Sequence, residues 1–386
     1  MTEGEGRVTE WLAEQREAMV LLLGDLVNTD SGTYDKTGVD AAGEPLRRFF
    51  DKAGLQVEIL PHPTFGDAIR ATLPHEAAND QRPIVLMGHR DTVFPKGEAG
   101  RRPFRVENGR AYGPGVADMK SGLVMNAFVI AALAKFGGHP APIVALVTSD
   151  EEIASPSSRP VIEAQARMSR AVFNAEPSRA PNVITRGRKG GVFMSFDVYG
   201  KAAHSGAHYE RGVSAIEELS RKVLSLHRLT DPDRGITVNV GLIGGGQTVN
   251  TIAPHACGEI DLRYVRSEDR AAMIDAIRGV VENCSLPGTT AQLTIKGEFL
   301  PLEETAESRA LFDIYRQAAG DVGFAVEAEF TGGCADSGFT AGKGCPTLCS
   351  IGPVGDGGHT PDEYVLVDSL VPCAQALALS VMRLRS

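Results

Sequence analysis

Two side chains in the stretch Met87-Gly88-His89-Arg90-Asp91-Thr92 have the types and spacing of a metal site. They follow the apolar run Pro83-Ile84-Val85-Leu86, which reads as a buried strand. In extended backbone, residues two apart face the same side. Asp91 can then accept a hydrogen bond from the imidazole nitrogen of His89 that faces away from an ion. That bond fixes the tautomer and raises the basicity of the ring. His89 is the expected ligand and Asp91 its orienting partner. A His-x-Asp pair on a strand also arises by chance, so the reading depends on further donors reaching the same place.

Four more segments offer them. Asp118 ends a glycine-rich loop, Gly113-Pro114-Gly115-Val116-Ala117-Asp118, just before a long apolar helix. Taken alone it reads as an N-cap. The glycine spacing is not that of a dinucleotide loop. The apolar strand Ile143–Thr148 runs into Ser149-Asp150-Glu151-Glu152, either a solvated acidic loop or a set of carboxylates that something positive must meet. A short strand near residues 170–174 ends at Glu176-Pro177, and the loop 352–358 delivers His359. In open α/β sheets, ligands sit at the carboxyl ends of strands. Imidazole with carboxylate suits zinc, manganese or cobalt. The donors suffice for two divalent ions about 3.5–4 Å apart with one carboxylate shared.

The elements that must position these groups form two domains. The chain has 386 residues, 42% hydrophobic and 23% charged, more than one ordinary core holds. The period of the apolar residues predicts one helix over 7–28 and another over 38–54, then short strands alternating with helices: an α/β domain. From residue 189 the pattern changes to β-α-β-β-α-β, the order of a ferredoxin-like unit, and the first domain resumes near residue 299. The boundaries expected are 1–188 with 299–386, and an insertion of 189–298.

A formal net charge of −10 argues against nucleic-acid or anionic-membrane binding. No apolar run is expected to span a bilayer and no signal-peptide pattern opens the chain, so a cytoplasmic location is expected. The six cysteines are scattered and read as free thiols. Cys345 and Cys349 have no second pair to complete a zinc site.

With these segments in view, the sequence resembles the M20 family of metallopeptidases and amide hydrolases, most nearly its glutamate carboxypeptidases. The resemblance runs over nearly the whole chain and rests on MGHRDTVFPKG (87–97), FRVENGRAYGPGVADMKSG (104–122), TSDEEIASPSSR (148–159), Glu176-Pro177, GKAAHSGAHYERGVSAIEEL (200–219), NTIAPHACGEIDLRYVRSED (250–269), TGGCADSGFTAGKGCPTLCSIGP (331–353) and GHTPDEYV (358–365). It implies a mixed-sheet, zinc-exopeptidase-like catalytic domain with an inserted ferredoxin-like α+β dimerisation or lid domain.

It also implies roles. His89, Asp118 and Glu176 would hold one metal; Asp118, Glu152 and His359 the other, with Asp118 bridging. The ions would be zinc, or manganese or cobalt. Glu151 would be the general base toward the activated water, and the Asp118–Met119 peptide would be cis. His204 would reach into the partner subunit of a homodimer to stabilise an oxyanion. Asn250 and Arg263 would meet the substrate's carboxylate region. The implied reaction is hydrolysis of an amide next to a free carboxylate in a dipeptide-like substrate.

The alternatives are an N-acyl amino-acid deacylase or desuccinylase, a hydrolase of a non-peptide amide or aromatic amine, and a catalytically silent binding protein. This sequence departs from the family at Cys334 and Ser337, and in Ser178-Arg179-Ala180-Pro181 and Arg186-Gly187-Arg188-Lys189, which leaves substrate choice open.

Overall fold

The computed structural model describes residues 1–179 and 182–384; Ala180 and Pro181 lie outside the described residues. The chain divides into two units. The first comprises Met1–Gly187, Glu304–Thr331 and Ala335–Ser386, the second Arg188–Glu303 and Gly332–Cys334.

The first unit is built on a mixed sheet of eight strands among the described residues. At its centre Ile84–His89 lies between Ile143–Thr148 and Ala171–Asn174, parallel to both. Thr347–Cys349 continues the parallel set beside Ala171–Asn174. Ile84–His89 and Ile143–Thr148 are buried at every position, which is why each reads as an unbroken apolar run rather than an alternating one. The helix Ser121–Phe136 is apolar almost all round, because its residues from Ser121 to Ile130 are all buried.

Together with the preceding turn, that helix makes Val116–Phe136 the one described segment long and apolar enough to cross a membrane, contrary to the expectation of none. The most apolar 18-residue window within it is 89% buried inside the molecule, so the segment serves as a core helix.

The second unit has the strand and helix order Gly190–Tyr199, Ala215–His227, Thr237–Gly245, His255–Tyr264, Asp269–Glu282, Thr290–Phe299. Gly190–Tyr199 and His255–Tyr264 are the two inner strands of an antiparallel four-stranded sheet, with Thr237–Gly245 and Thr290–Phe299 at its edges. This is the ferredoxin-like topology that the period changes predict. Val192, Phe196, Leu219, Leu262 and Ile277 form part of its separate core.

Three local expectations are corrected. The helix expected over 7–28 is two, Glu3–Ala13 and Arg16–Val27. The N–H groups of Glu14 and Gln15 turn back to Trp11 O and Leu12 O, and the Gln15 amide takes Trp11 O at 3.1 Å, which closes the first helix. The helix Ser158–Met168 was not anticipated. Asp150 accepts hydrogen bonds from the N–H groups of Ser157 and Ser158 at its start, so that acid is used structurally. Residues 352–356 form a strand, Gly352–Asp356, rather than a loop.

Candidate metal centre

The parallel register explains why distant residues converge. His89 pairs with Thr148, and Met87 with Asn174, so the three strands end within two residues of one another at the same edge of the sheet. His89 is the last residue of its strand, and the residues just beyond the other two supply the Glu151–Glu152 turn and Glu176. Gly352–Asp356 runs parallel to Pro177–Ser178 and then pairs antiparallel with Tyr364–Leu366, placing His359 in the turn between them. Tyr364–Leu366 in turn pairs with Arg110–Tyr112, which leads into the loop carrying Asp118.

Two glycines allow the close packing around Glu176. A Cβ at Gly122 or at Gly352 would collide with the backbone of Ala175, and at Gly352 with that of Glu176 as well.

The resulting cluster is tight. His89 Nε2 lies 3.2 Å from Asp118 Oδ1, 3.7 Å from Glu176 Oε1 and 3.9 Å from Glu151 Oε2. His359 Nε2 lies 3.0 Å from Glu152 Oε2 and 3.5 Å from Asp118 Oδ2. Asp118 thus faces both histidines, one with each oxygen. Donor atoms of His89, Asp118 and Glu152 lie within 4.8 Å of one another. His359 has φ +64, a left-handed conformation costly for a residue with a Cβ and held here by the turn. The Asp118–Met119 peptide is cis.

Asp91 does more than orient an imidazole. Its backbone carbonyl is 3.1 Å from His89 Nδ1 and its carboxylate 3.3 Å, so the carbonyl is the nearer acceptor. The carboxylate also accepts from the Thr33 hydroxyl at 2.7 Å and from the N–H groups of Glu151 and Glu152 at 3.2 Å each. One buried side chain therefore ties His89 to the two glutamates.

Sequence reasoning missed Glu363. It is fully buried, and its carboxylate accepts the N–H groups of Gly115 at 2.8 Å, and of Ala117 and Asp118 at 2.9 Å each. It holds the loop that aims Asp118. The one available signal was an acid at 363 within GHTPDEYV beside a strand.

The electrostatics call for cations. Burial pushes Glu151 well above the ordinary carboxylate range; His89 partly offsets this, while Glu176, Asp336 and Glu152 add to it. Burial likewise raises Glu152. The hydrogen bonds to Asp118 and Glu152 push His359 up to about 10. For His89, burial lowers the pKa, but Asp118 and Asp91 outweigh it and the ring is held well above its usual value. Four crowded carboxylates and two imidazoles are a donor set for divalent ions, and the geometry fits them.

An imidazole must lose its proton to bind an ion. Zinc affinity of the chelator-stripped chain should therefore rise with pH between about 6 and about 9, with proton release on binding. Affinity independent of pH over that range would remove His359 from the ligand set.

The other residues expected at the site lie in the second unit. His204 is exposed, and its Nδ1 accepts N–H groups from Gly206 and Ala207 at 3.2 Å each. In the neutral ring this leaves the proton on Nε2. Asn250 is also exposed, with Oδ1 taking the Thr248 hydroxyl at 3.0 Å. Arg263 is half-buried; Asp261 takes its Nε–H at 2.7 Å and Cys334 Sγ faces its Nη1.

Comparison with known proteins now decides the family. The sequence matches Peptidase family M20/M25/M40 over residues 85–383. The chain belongs to family M20. A relative, carboxypeptidase G2 of Pseudomonas sp. (strain RS-16), is 30% identical over 366 residues, covering 92% of this chain and 87% of that one. An acetylornithine deacetylase of Vibrio atlanticus is 26% identical, covering 94% and 96%. An M20 family metallo-carboxypeptidase from Sulfolobus solfataricus has the same fold, with TM-score 0.80 at 16% identity, over 94% of this chain and 98% of that one. This M20 chain is a metallohydrolase acting on C–N bonds.

Proposed function

We propose that this M20 chain hydrolyses an amide bond next to a free carboxylate, in the manner of a glutamate carboxypeptidase. The observation that carries the reading is Glu151, a buried carboxylate at the edge of the donor cluster formed by His89, Asp118 and Glu152. A silent binding protein has no use for such a base. His89, Asp118 and Glu176 would hold one divalent ion, and Asp118, Glu152 and His359 a second, zinc being first choice. Such ions supply Lewis acidity, lowering the pKa of water toward neutrality and polarising a carbonyl.

The chain's own residues do the rest. Glu151 takes the proton from water as the water's oxygen attacks the carbonyl carbon. His204 of a partner subunit offers Nε2–H to the oxyanion. Glu151 then returns the proton to the leaving nitrogen. Arg263 suits a carboxylate because its guanidinium binds in a fork, and Asn250 would share that role as the family resemblance implies.

A homodimer through the second unit is supported by the edge strand Thr237–Gly245, where Leu242 and Ile243 are 63% and 65% exposed. A monomer in solution would contradict the role of His204. The six cysteines, all free thiols, suit a reducing, cytoplasmic setting.

The 26% identity to an acetylornithine deacetylase supports an N-acyl amino-acid deacylase as the second reading. The test is a panel of glutamyl amides, N-acetyl and N-succinyl amino acids with metal-loaded and chelator-treated protein. The proposal expects metal-dependent release of free glutamate, at the highest kcat/KM of the panel. Faster turnover of N-acetylornithine would favour the deacylase, and no turnover of any amide would overturn both.

A further inference from the structure

A recess of about 470 Å³ lies within the first unit, between the helices Glu3–Ala13, Lys36–Lys52 and Ser121–Phe136. All of its lining residues belong to that unit, so the site is complete there. It is remote from the metal centre. Ser121 follows the Asp118 loop, and Phe128 and Lys135 stand about 10 and 21 Å farther along its helix, at about 1.5 Å per residue. Four alanines make the space: Ala18, Ala53, Ala131 and Ala134 line the recess, each half-buried. The unbroken burial of Ser121–Phe136 ends at Ile130, and the recess opens from Ala131 onward.

Aromatic rings form the walls. The Phe128 ring centroid is 4.8 Å from that of Phe49 and 6.4 Å from that of Trp11. Phe128 is buried and the Gln15 amide bonds to Trp11 O, so packing fixes the walls before any ligand arrives. The rim is cationic. Lys52 and Lys135 are exposed lining residues, and no acid lines the recess among the described residues. Among those residues neither ammonium has a carboxylate oxygen within 4.0 Å. Lys135 Nζ instead stands 5.5 Å from the Trp11 ring centroid and 5.2 Å from that of Phe136. On a chain of net charge −10, two unmatched cations over an aromatic hollow reverse the sign locally.

We propose that this recess is an accessory binding site for a small aromatic carboxylate. The ring would lie among Trp11, Phe49 and Phe128, and the anion between Lys52 and Lys135. The size suits a small molecule, since such sites usually enclose about 300–1,000 Å³. A neutral ring compound gains the apolar contact but leaves both ammonium groups unmatched. An aromatic cation meets like charge at the rim. The site is independent of the amide-hydrolase reading, because none of its residues belongs to the metal centre.

The test uses the single tryptophan of the chain, which is Trp11 itself. Its fluorescence in the metal-loaded full chain is titrated with 4-phenylbutyrate and with the uncharged 4-phenylbutan-1-ol. Neither compound contains an amide, so turnover does not intervene. A saturable change in emission with a Kd of about 1 mM or tighter is expected for the carboxylate, and several-fold weaker binding for the alcohol. Lys52→Gln and Lys135→Gln, both at exposed side chains, should each weaken the carboxylate about two- to fivefold and leave the alcohol unchanged. Ala131→Leu fills the recess with a good helix former and should abolish the response at unchanged melting temperature and zinc content. Carboxylate held at the metal centre would survive all three changes. That result, equal affinity for acid and alcohol, or no saturable response would overturn the site. Emission that follows protein concentration and not phenylbutyrate would also overturn it, by showing a second copy covering this face.

Discussion

Replacing Glu151 by glutamine is expected to lower kcat by about 10³-fold while metal content and fold stay unchanged. The amide has nearly the shape of the carboxylate but accepts no proton. Glu151 Oε2 stands 3.9 Å from His89 Nε2, outside the closest donor triad of His89, Asp118 and Glu152. Its placement relies on its backbone N–H, bonded to Asp91, which the substitution keeps.

The pH profile gives a second readout. Burial raises the Glu151 pKa, and so do Glu176, Asp336 and Glu152; a neighbouring dication works in the opposite direction. The base acts only when ionised, so activity should fall as pH drops through its pKa, and that acid limb should vanish in Glu151→Gln. Near-normal turnover in the variant would remove Glu151 from its role.

Glu363→Ala is expected to cost both stability and metal affinity. The carboxylate is the acceptor for the Gly115, Ala117 and Asp118 N–H groups in a fully buried position. Each orphaned buried N–H costs about 1–3 kcal/mol, so at least about 3 kcal/mol is at stake. The loop that aims Asp118 would then loosen, and outer supports of metal ligands are typically worth about 10–100-fold in affinity.

Glutamine at 363 should be intermediate. Its carbonyl can still serve Ala117 and Asp118, which share Oε1, but its NH₂ would oppose the Gly115 N–H. Thermal melts and zinc titrations of the two variants would check this. A Glu363→Ala chain with unchanged melting and unchanged zinc affinity would show that the clamp has no part in the centre.

The contrast between Glu151 and Glu363 shows what could be read from the amino acids. Glu151, His89 and Glu176 each follow an apolar strand, and parallel buried strands end together, so local pattern implied a shared edge. Asp118, taken alone, reads as an N-cap; its two-sided approach to His89 and His359 depends on pairings between Arg110–Tyr112, Tyr364–Leu366 and Gly352–Asp356. Those strands are three to five residues long, too short to carry a periodic signal.

Glu363 was hidden for another reason: its partners are backbone N–H groups, which have no identity in a sequence. Asp150 shows the reverse case. It stands beside Glu151 with the same charge, yet its oxygens are taken by Ser157 and Ser158 at a helix start that the pattern did not reveal. The ferredoxin-like insertion was legible because its two inner strands alternate between buried and less buried positions, His255–Tyr264 throughout and Gly190–Tyr199 from Val192 onward.

The most direct measurement is a calorimetric zinc titration of chelator-stripped Glu151→Gln, with His89→Ala and His359→Ala in the same background. Two ions per chain are predicted, with each histidine variant losing or greatly weakening one of them. Binding of no ion, or two ions bound equally well without either histidine, would contradict the dinuclear centre on which the proposed chemistry depends.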